Sequence, residues 1–182
     1  MAPQRVILTY KDYEALPNDG RRYEIHEGEL AVTPAPSPRH QEISANLFDA
    51  LRTHIKSRSL GKVLYAPIDV ILSDTNIVQP DLVYLEARRL SSISSRGIEG
   101  PPTLIVEILS PSTTQVDRTT KLQLYARYAV PYYWIVDPDA HAIEAYVLRE
   151  GGYHLSVSAA GPNPVFLPPF IDLPIRPETL WP

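Results

Sequence analysis

Apolar and polar positions along this chain recur at two periods, and each change of period marks an element. Over residues 39–57, Ile43, Leu47, Ala50, Leu51, His54 and Ile55 fall on one stripe at helical spacing. The same period returns over residues 114–129, entered through Pro111-Ser-Thr-Thr114 and closed at Val130-Pro131. A shorter helix over residues 10–16 is capped by Thr9 and stopped by Pro17 and the Asn18-Asp-Gly20 turn. Strands fill the intervals. Residues 23–32 read as two short strands about a Glu27-Gly28 turn. Residues 62–73 read as one strand with a bulge at Pro67, turned by Asp74-Thr-Asn76 into a strand over 81–85, so these two are expected to form a hairpin. Residues 86–102 are a polar connection.

Residues 103–110 are apolar on both alternating faces, the pattern of a strand covered on both sides. Strands over 132–136, 143–148 and 153–158 follow, separated by Asp137-Pro-Asp139 and Gly151-Gly152. Residues 161–182 hold seven prolines, yet Leu167, Phe170, Leu173, Leu180 and Trp181 among them are apolar. A packed, irregular tail is expected there. The whole order predicts an α/β (α+β) fold, a mixed sheet with two main helices against it.

Composition narrows this little. A chain of 182 residues, 44% apolar and 21% charged, suits one globular domain over 1–182. No cysteine is present, so neither disulfides nor cysteine zinc sites arise. No segment reaches the roughly 18 apolar residues of a membrane span, and residues 1–9 lack a signal-peptide core. A soluble cytoplasmic protein without a membrane partner is expected. The net charge of −4 argues against coating nucleic acid by bulk electrostatics, but leaves room for a nuclease whose metal-binding carboxylates add negative charge.

Three charges stand where charge is costly. Glu107 interrupts Leu104-Ile-Val-Glu-Ile-Leu109 and shares a strand face with Ile105 and Leu109. At about 100° per residue, Lys121 lies centrally on the apolar face of its helix, between Leu124 and Tyr128 on one side and Leu122 and Tyr125 on the other. Thr119, Thr120, Gln123 and Arg127 fill the opposite arc. A lysine there either snorkels outward, pairs with Asp117 one turn earlier, or has a function. Asp81 follows Pro80 at a strand start and draws its meaning from the other two. Adjacent strands would bring Asp81 and Glu107 to one metal, since magnesium takes oxygen ligands and needs only one or two carboxylates.

The same residues carry a family resemblance. Pro80-Asp81, Val106-Glu-Ile-Leu-Ser-Pro-Ser-Thr113, Asp117-x-x-x-Lys121-x-x-x-Tyr125 and Val130-Pro-Tyr-Tyr-Trp-Ile-Val-Asp137-Pro, preceded by Tyr23-Glu-Ile-His-Glu-Gly-Glu-Leu30 and Ser37-Pro-Arg-His40, resemble the Uma2 family, formerly DUF820. That family is grouped with restriction endonucleases in the PD-(D/E)XK nuclease superfamily. The likeness spans roughly residues 10–175. It implies a restriction-endonuclease-like central sheet, Asp81 and Glu107 as metal ligands for Mg²⁺ or Mn²⁺, and Lys121 as the catalytic lysine. Leu109 occupies the superfamily's usual lysine position, so Lys121 would have to reach back from the following helix. Glu24 and His40 match further family positions. By alternation with Tyr23 and Ile25, however, Glu24 reads as an exposed strand residue, and His40 reads equally as a helix-capping or a cleft residue.

The function implied is metal-dependent endonucleolytic cleavage of DNA. Arg88, Arg89, Arg96 and Arg118 are candidate phosphate contacts, and a homodimer would supply two sites for two strands. The alternatives are a non-catalytic nucleic-acid or protein-binding module on a nuclease-like scaffold, and a metal-free hydrolase using the two carboxylates as acid and base.

Overall fold

The computed structural model of the chain describes residues 6–182. Met1 to Arg5, part of the stretch read for a signal peptide, lie outside the described residues. The chain opens with helix α1 (Tyr10–Glu14), then hairpin strands β1 (Arg22–His26) and β2 (Glu29–Thr33). Their turn uses Glu27 and Gly28, both at positive φ (52° and 80°), the geometry a two-residue hairpin turn requires. A side chain at Gly28 would also meet Ile7 Cγ2 at 2.5 Å.

Helix α2 (Pro38–Ser57) follows, with proline in its first turn and the Ser37 hydroxyl accepting the His40 N–H at 3.2 Å. Next come β3 (Gly61–Tyr65), β4 (Val70–Ser73), β5 (Asn76–Val78), β6 (Leu82–Glu86), the two-residue β7 (Ile93–Ser94), β8 (Gly97–Glu99) and β9 (Leu104–Ile108). Helix α3 covers 114–127; within it, Asp117–Lys121 form a π turn between two α-helical stretches. Strands β10 (Tyr132–Asp137), β11 (Ala142–Arg149) and β12 (Gly152–Ala160) precede a last hairpin, β13 (Val165–Leu167) and β14 (Phe170–Ile175).

The main sheet has the order β12-β11-β10-β9-β6-β3; only β9 and β10 run parallel within it. β9 lies in its middle, as a strand apolar on both faces should. Leu104, Val106 and Ile108 pack with Ile43, Leu47 and Leu51 of α2, and Ile105 and Leu109 pack with Leu124 and Tyr125 of α3. Tyr133 and Trp134 of β10 are fully buried, which places both in the core.

Three expectations need correction. The strand foreseen over 62–73 is two strands in two sheets, parted at Pro67, which lacks the N–H a ladder needs. β3 does pair antiparallel with β6, but β4 instead forms a hairpin with β5 in a second sheet, ordered β2-β1-β5-β4-β8-β7. The polar connection 86–102 holds a 3₁₀ turn and the β7–β8 hairpin. The tail is a hairpin, with Leu167, Phe170, Ile175 and Leu180 buried beside α2 and the main sheet.

Candidate active site

The chain crosses from the second sheet to the main sheet between β5 and β6, and Asp81 sits at that crossing. Its Oδ2 accepts the Ile108 N–H at 2.9 Å, which ties it to β9 one residue beyond Glu107. The same oxygen lies 3.1 Å from His40 Nε2, and Oδ1 accepts from Arg22 Nη1 at 2.9 Å. His40 is held over the sheet by the capped first turn of α2.

Glu107 projects from β9 toward α3. Its Oε1 accepts from Lys121 Nζ at 3.0 Å and from the Tyr125 hydroxyl at 2.7 Å. Lys121 and Tyr125 are one helical turn apart and share a face. Glu24 arrives from β1 in the other sheet. Its Oε1 accepts the Gln79 N–H at 2.6 Å and lies 3.2 Å from Lys121 Nζ, and its Oε2 lies 3.1 Å from His26 Nε2. Asp117 Oδ1 is 3.5 Å from the same Nζ and makes no hydrogen bond. One buried ammonium therefore gathers three carboxylates.

Burial would raise the carboxyl of Glu24, but Lys121, His26 and the Gln79 N–H outweigh it and hold it down to about 2. Burial likewise opposes ionisation of Asp81, yet His40, the Ile108 N–H and Arg22 keep it below its usual range. Glu107 goes the other way. Burial raises it well above 4.5 and the charges of Asp117, Asp81 and Glu24 add to that, against the pull of Lys121. Burial would neutralise Lys121, but Glu107, Glu24 and Asp117 hold its proton well beyond 10.5.

The Uma2 family model, described as "Putative restriction endonuclease", matches residues 10–176. The chain belongs to the Uma2 family. A solved structure of "a putative nuclease belonging to DUF820" from Anabaena variabilis superposes with a TM-score of 0.79 at 20% identity, over 95% of this chain and 97% of that one. A type IIG restriction endonuclease, BpuSI, aligns over 61% of this chain and 11% of its own, at 19% identity and a TM-score of 0.38, too weak to bear on the fold. No curated protein matches the sequence. The mixed sheet flanked by two main helices, expected of a restriction-endonuclease-like fold, is the fold observed. No helix among the described residues is long and apolar enough to cross a membrane.

In this Uma2 chain, Asp81, Glu107, Lys121, Glu24 and His40 all line one cleft of about 300 Å³. Lys121 points at the sheet, not at solvent, and the regular helical wheel located it correctly despite the π turn. Glu24 is buried at 4% exposure, which corrects the reading of an exposed strand residue. Alternation along β1 could not reveal that Lys121 of α3 and the Gln79 N–H close over this face. None of Arg88, Arg89, Arg96 and Arg118 lines the cleft. Arg88 and Arg89 pair with Glu86, Arg96 with Glu99, and Arg118 with Glu144 and Asp137. Arg22 and Arg39 do line the cleft; Arg39 stands inside the Ser37-Pro-Arg-His40 motif, though not among the candidate phosphate contacts, and no motif contains Arg22. Tyr125 and Asp117 had a signal, each standing four residues from Lys121.

Among the described residues, no three His, Asp or Glu side chains form a preformed metal cage. The donor chemistry still fits a hard divalent ion held by one or two carboxylates and water. Asp81 is kept ionised, and Glu24, Asp81, Glu107 and Asp117 outnumber the one buried ammonium. Burial first and that surplus second drive Glu107 upward, and a bound cation would oppose the shift. Asp81 Oδ2 and the Ile108 carbonyl both lie 3.1 Å from His40 Nε2, so this imidazole nitrogen engages the two oxygens beside the cleft.

Proposed function

We propose that this chain is a metal-dependent DNA endonuclease, in which Asp81 and Glu107 hold Mg²⁺ or Mn²⁺ and Lys121 assists the attacking water. The observation that carries this reading is the contact of Lys121 Nζ with Glu107 Oε1 at 3.0 Å, made from a helix back onto a central strand. It answers the absence of a lysine at Leu109. A divalent ion bound there would acidify a water and offset charge on the phosphate. Asp81 supplies an ionised oxygen ligand. Glu24 and Asp117 fix the Lys121 ammonium beside Glu107, where its charge can orient a water or a phosphate oxygen. Arg22, Arg39 and His40 border the cleft as cationic or hydrogen-bonding partners for a phosphodiester. A homodimer would set two such clefts on a duplex, and sedimentation of the purified protein tests that part.

The test is cleavage of plasmid and single-stranded DNA with Mg²⁺ or Mn²⁺, beside Asp81→Asn and Lys121→Met. Metal-dependent cleavage lost in both variants supports the reading; cleavage undiminished in both overturns it. One observation favours the alternative of a non-catalytic binding module. Both Asp81 oxygens are already taken, by Arg22, His40 and the Ile108 N–H. Under that alternative DNA binds without cleavage, and divalent ions leave the melting temperature unchanged.

A further inference from the structure

We propose that a groove adjoining the cleft, walled by Phe48 and Tyr65, takes an unpaired nucleobase of the strand whose phosphate lies at Asp81 and Glu107. The inference rests on the nuclease reading and adds the substrate class: DNA that is single-stranded or locally unpaired beside the scissile bond.

Tyr65 ends β3, the edge strand of the main sheet, and is 60% exposed. It pairs in register with Leu82, the residue after Asp81, and the next N–H, of Ala66, donates to the Asp81 carbonyl at 2.9 Å. Paired strands lie about 5 Å apart, so the Tyr65 backbone stands one strand away from that of the candidate metal ligand. Phe48 meets it edge-on, with ring centroids 4.8 Å apart and planes at 71°.

Helix α2 builds the opposite wall. Gln41, Ser44, Ala45 and Phe48 follow i, i+3, i+4, i+7 spacing and so share one helix face toward the groove. The small side chains of Ser44 and Ala45 leave a space of about 380 Å³, and Gln41 offers an amide to a base edge. Arg22, Pro36 and His40 line both groove and cleft, so the two adjoin.

A single exposed tyrosine needs no explanation. An aromatic pair in a concavity, beside an arginine and next to the cleft, is the arrangement on which bases of a single strand stack. Charge agrees with this. No carboxylate lines the groove, although acidic residues outnumber basic ones in the chain by 21 to 17. A base held between Tyr65 and α2 cannot remain in a duplex stack.

The experiment titrates single-stranded DNA containing 2-aminopurine, and a duplex of the same sequence, into the full chain without divalent ions. The variants are Tyr65→Ala and Tyr65→Phe, their folding checked by circular dichroism. Expected are quenching of the base by wild type, weaker binding of the duplex, and a loss of single-strand affinity of about 5- to 100-fold in Tyr65→Ala, with Tyr65→Phe close to wild type. No quenching, or equal affinity in Tyr65→Ala, overturns the proposal. So does a Tyr65→Ala protein that changes from dimer to monomer in sedimentation with strand binding intact, since a second copy would then cover the groove. Cleavage with Mg²⁺ separates the two readings. Stacking without cleavage leaves the groove and removes the nuclease; cleavage without stacking does the reverse.

Discussion

Lys121 Nζ lies 3.0 Å from Glu107 Oε1, a contact between the π turn of α3 and the central strand β9, with both side chains almost wholly buried. Glu24 and Asp117 approach the same ammonium at 3.2 and 3.5 Å. A lysine in this setting stabilises the fold by holding carboxylates that would otherwise repel one another.

Lys121→Met should therefore destabilise the metal-free protein strongly. Removing one partner of a buried ion pair costs about 3–5 kcal/mol, because the other charge is left uncompensated. The proton affinity of Lys121 is raised in the fold, so its contribution is complete below 10.5 and is lost only as pH rises through the higher folded value. The whole deficit should appear at pH 7, in urea unfolding, and should shrink in acid as the carboxylates protonate. A variant as stable as wild type at pH 7 would contradict the ammonium's central role.

Glu24 predicts an acid-side loss of stability. Its carboxyl is held down to about 2 in the fold against 4.5 in the free residue. A depressed carboxylate stabilises above its unfolded value, and the contribution disappears as pH falls through the folded one. Wild type should therefore lose on the order of 3 kcal/mol from this group alone as pH drops from 4.5 toward 2, and Asp81 adds a loss of the same sign. Glu24→Gln should flatten that limb in urea unfolding measured against pH. Glu107 carries the opposite sign, since its raised proton affinity favours the fold in acid, so Glu107→Gln should compare best with wild type on the alkaline side.

Bound metal should stabilise the native state. One ion in hundredfold excess over its Kd contributes about 2.7 kcal/mol, or roughly 5–10 °C in Tm for a chain of this size. Thermal melting with Mn²⁺ or Mg²⁺, compared with EDTA, reads the effect. Asp81→Asn should abolish it. A shift retained in that variant would mean that the ion binds elsewhere.

How much of this was legible depended on whether a neighbour lies near in sequence or far. The two-faced apolar strand around Glu107 and the helical position of Lys121 are local patterns, and both were readable. Glu24 was not, because what buries it comes from far along the chain, Gln79 fifty-five residues on and Lys121 on α3. The second sheet is built from strands as short as two to five residues, too short to display a period. Arg22 reaches Asp81 across 59 residues, and nothing in its own neighbourhood announces it. Residues 62–73 failed for a different reason. Pro67 was read as a bulge within one strand, whereas the chain uses it to leave one sheet for another.

The tail supplies the last prediction. Seven prolines in residues 161–182 could suggest a loose end, but Phe170 is 3% exposed and touches three separate parts of the core. Its ring lies 4.9 Å from Tyr84 of β6, 6.0 Å from Trp134 of β10 and 5.7 Å from His54 of α2. The Pro168 carbonyl accepts the Trp134 indole N–H at 2.7 Å, which satisfies a donor otherwise buried in an apolar core. Phe170→Ala empties that junction, and a buried phenylalanine lost to alanine costs about 3–5 kcal/mol. Urea unfolding should show that loss, whereas Ile171→Ala, at a neighbouring side chain 79% exposed, should change stability by less than about 0.5 kcal/mol. Equal effects from the two would mean that the tail does not pack against α2 and the sheet.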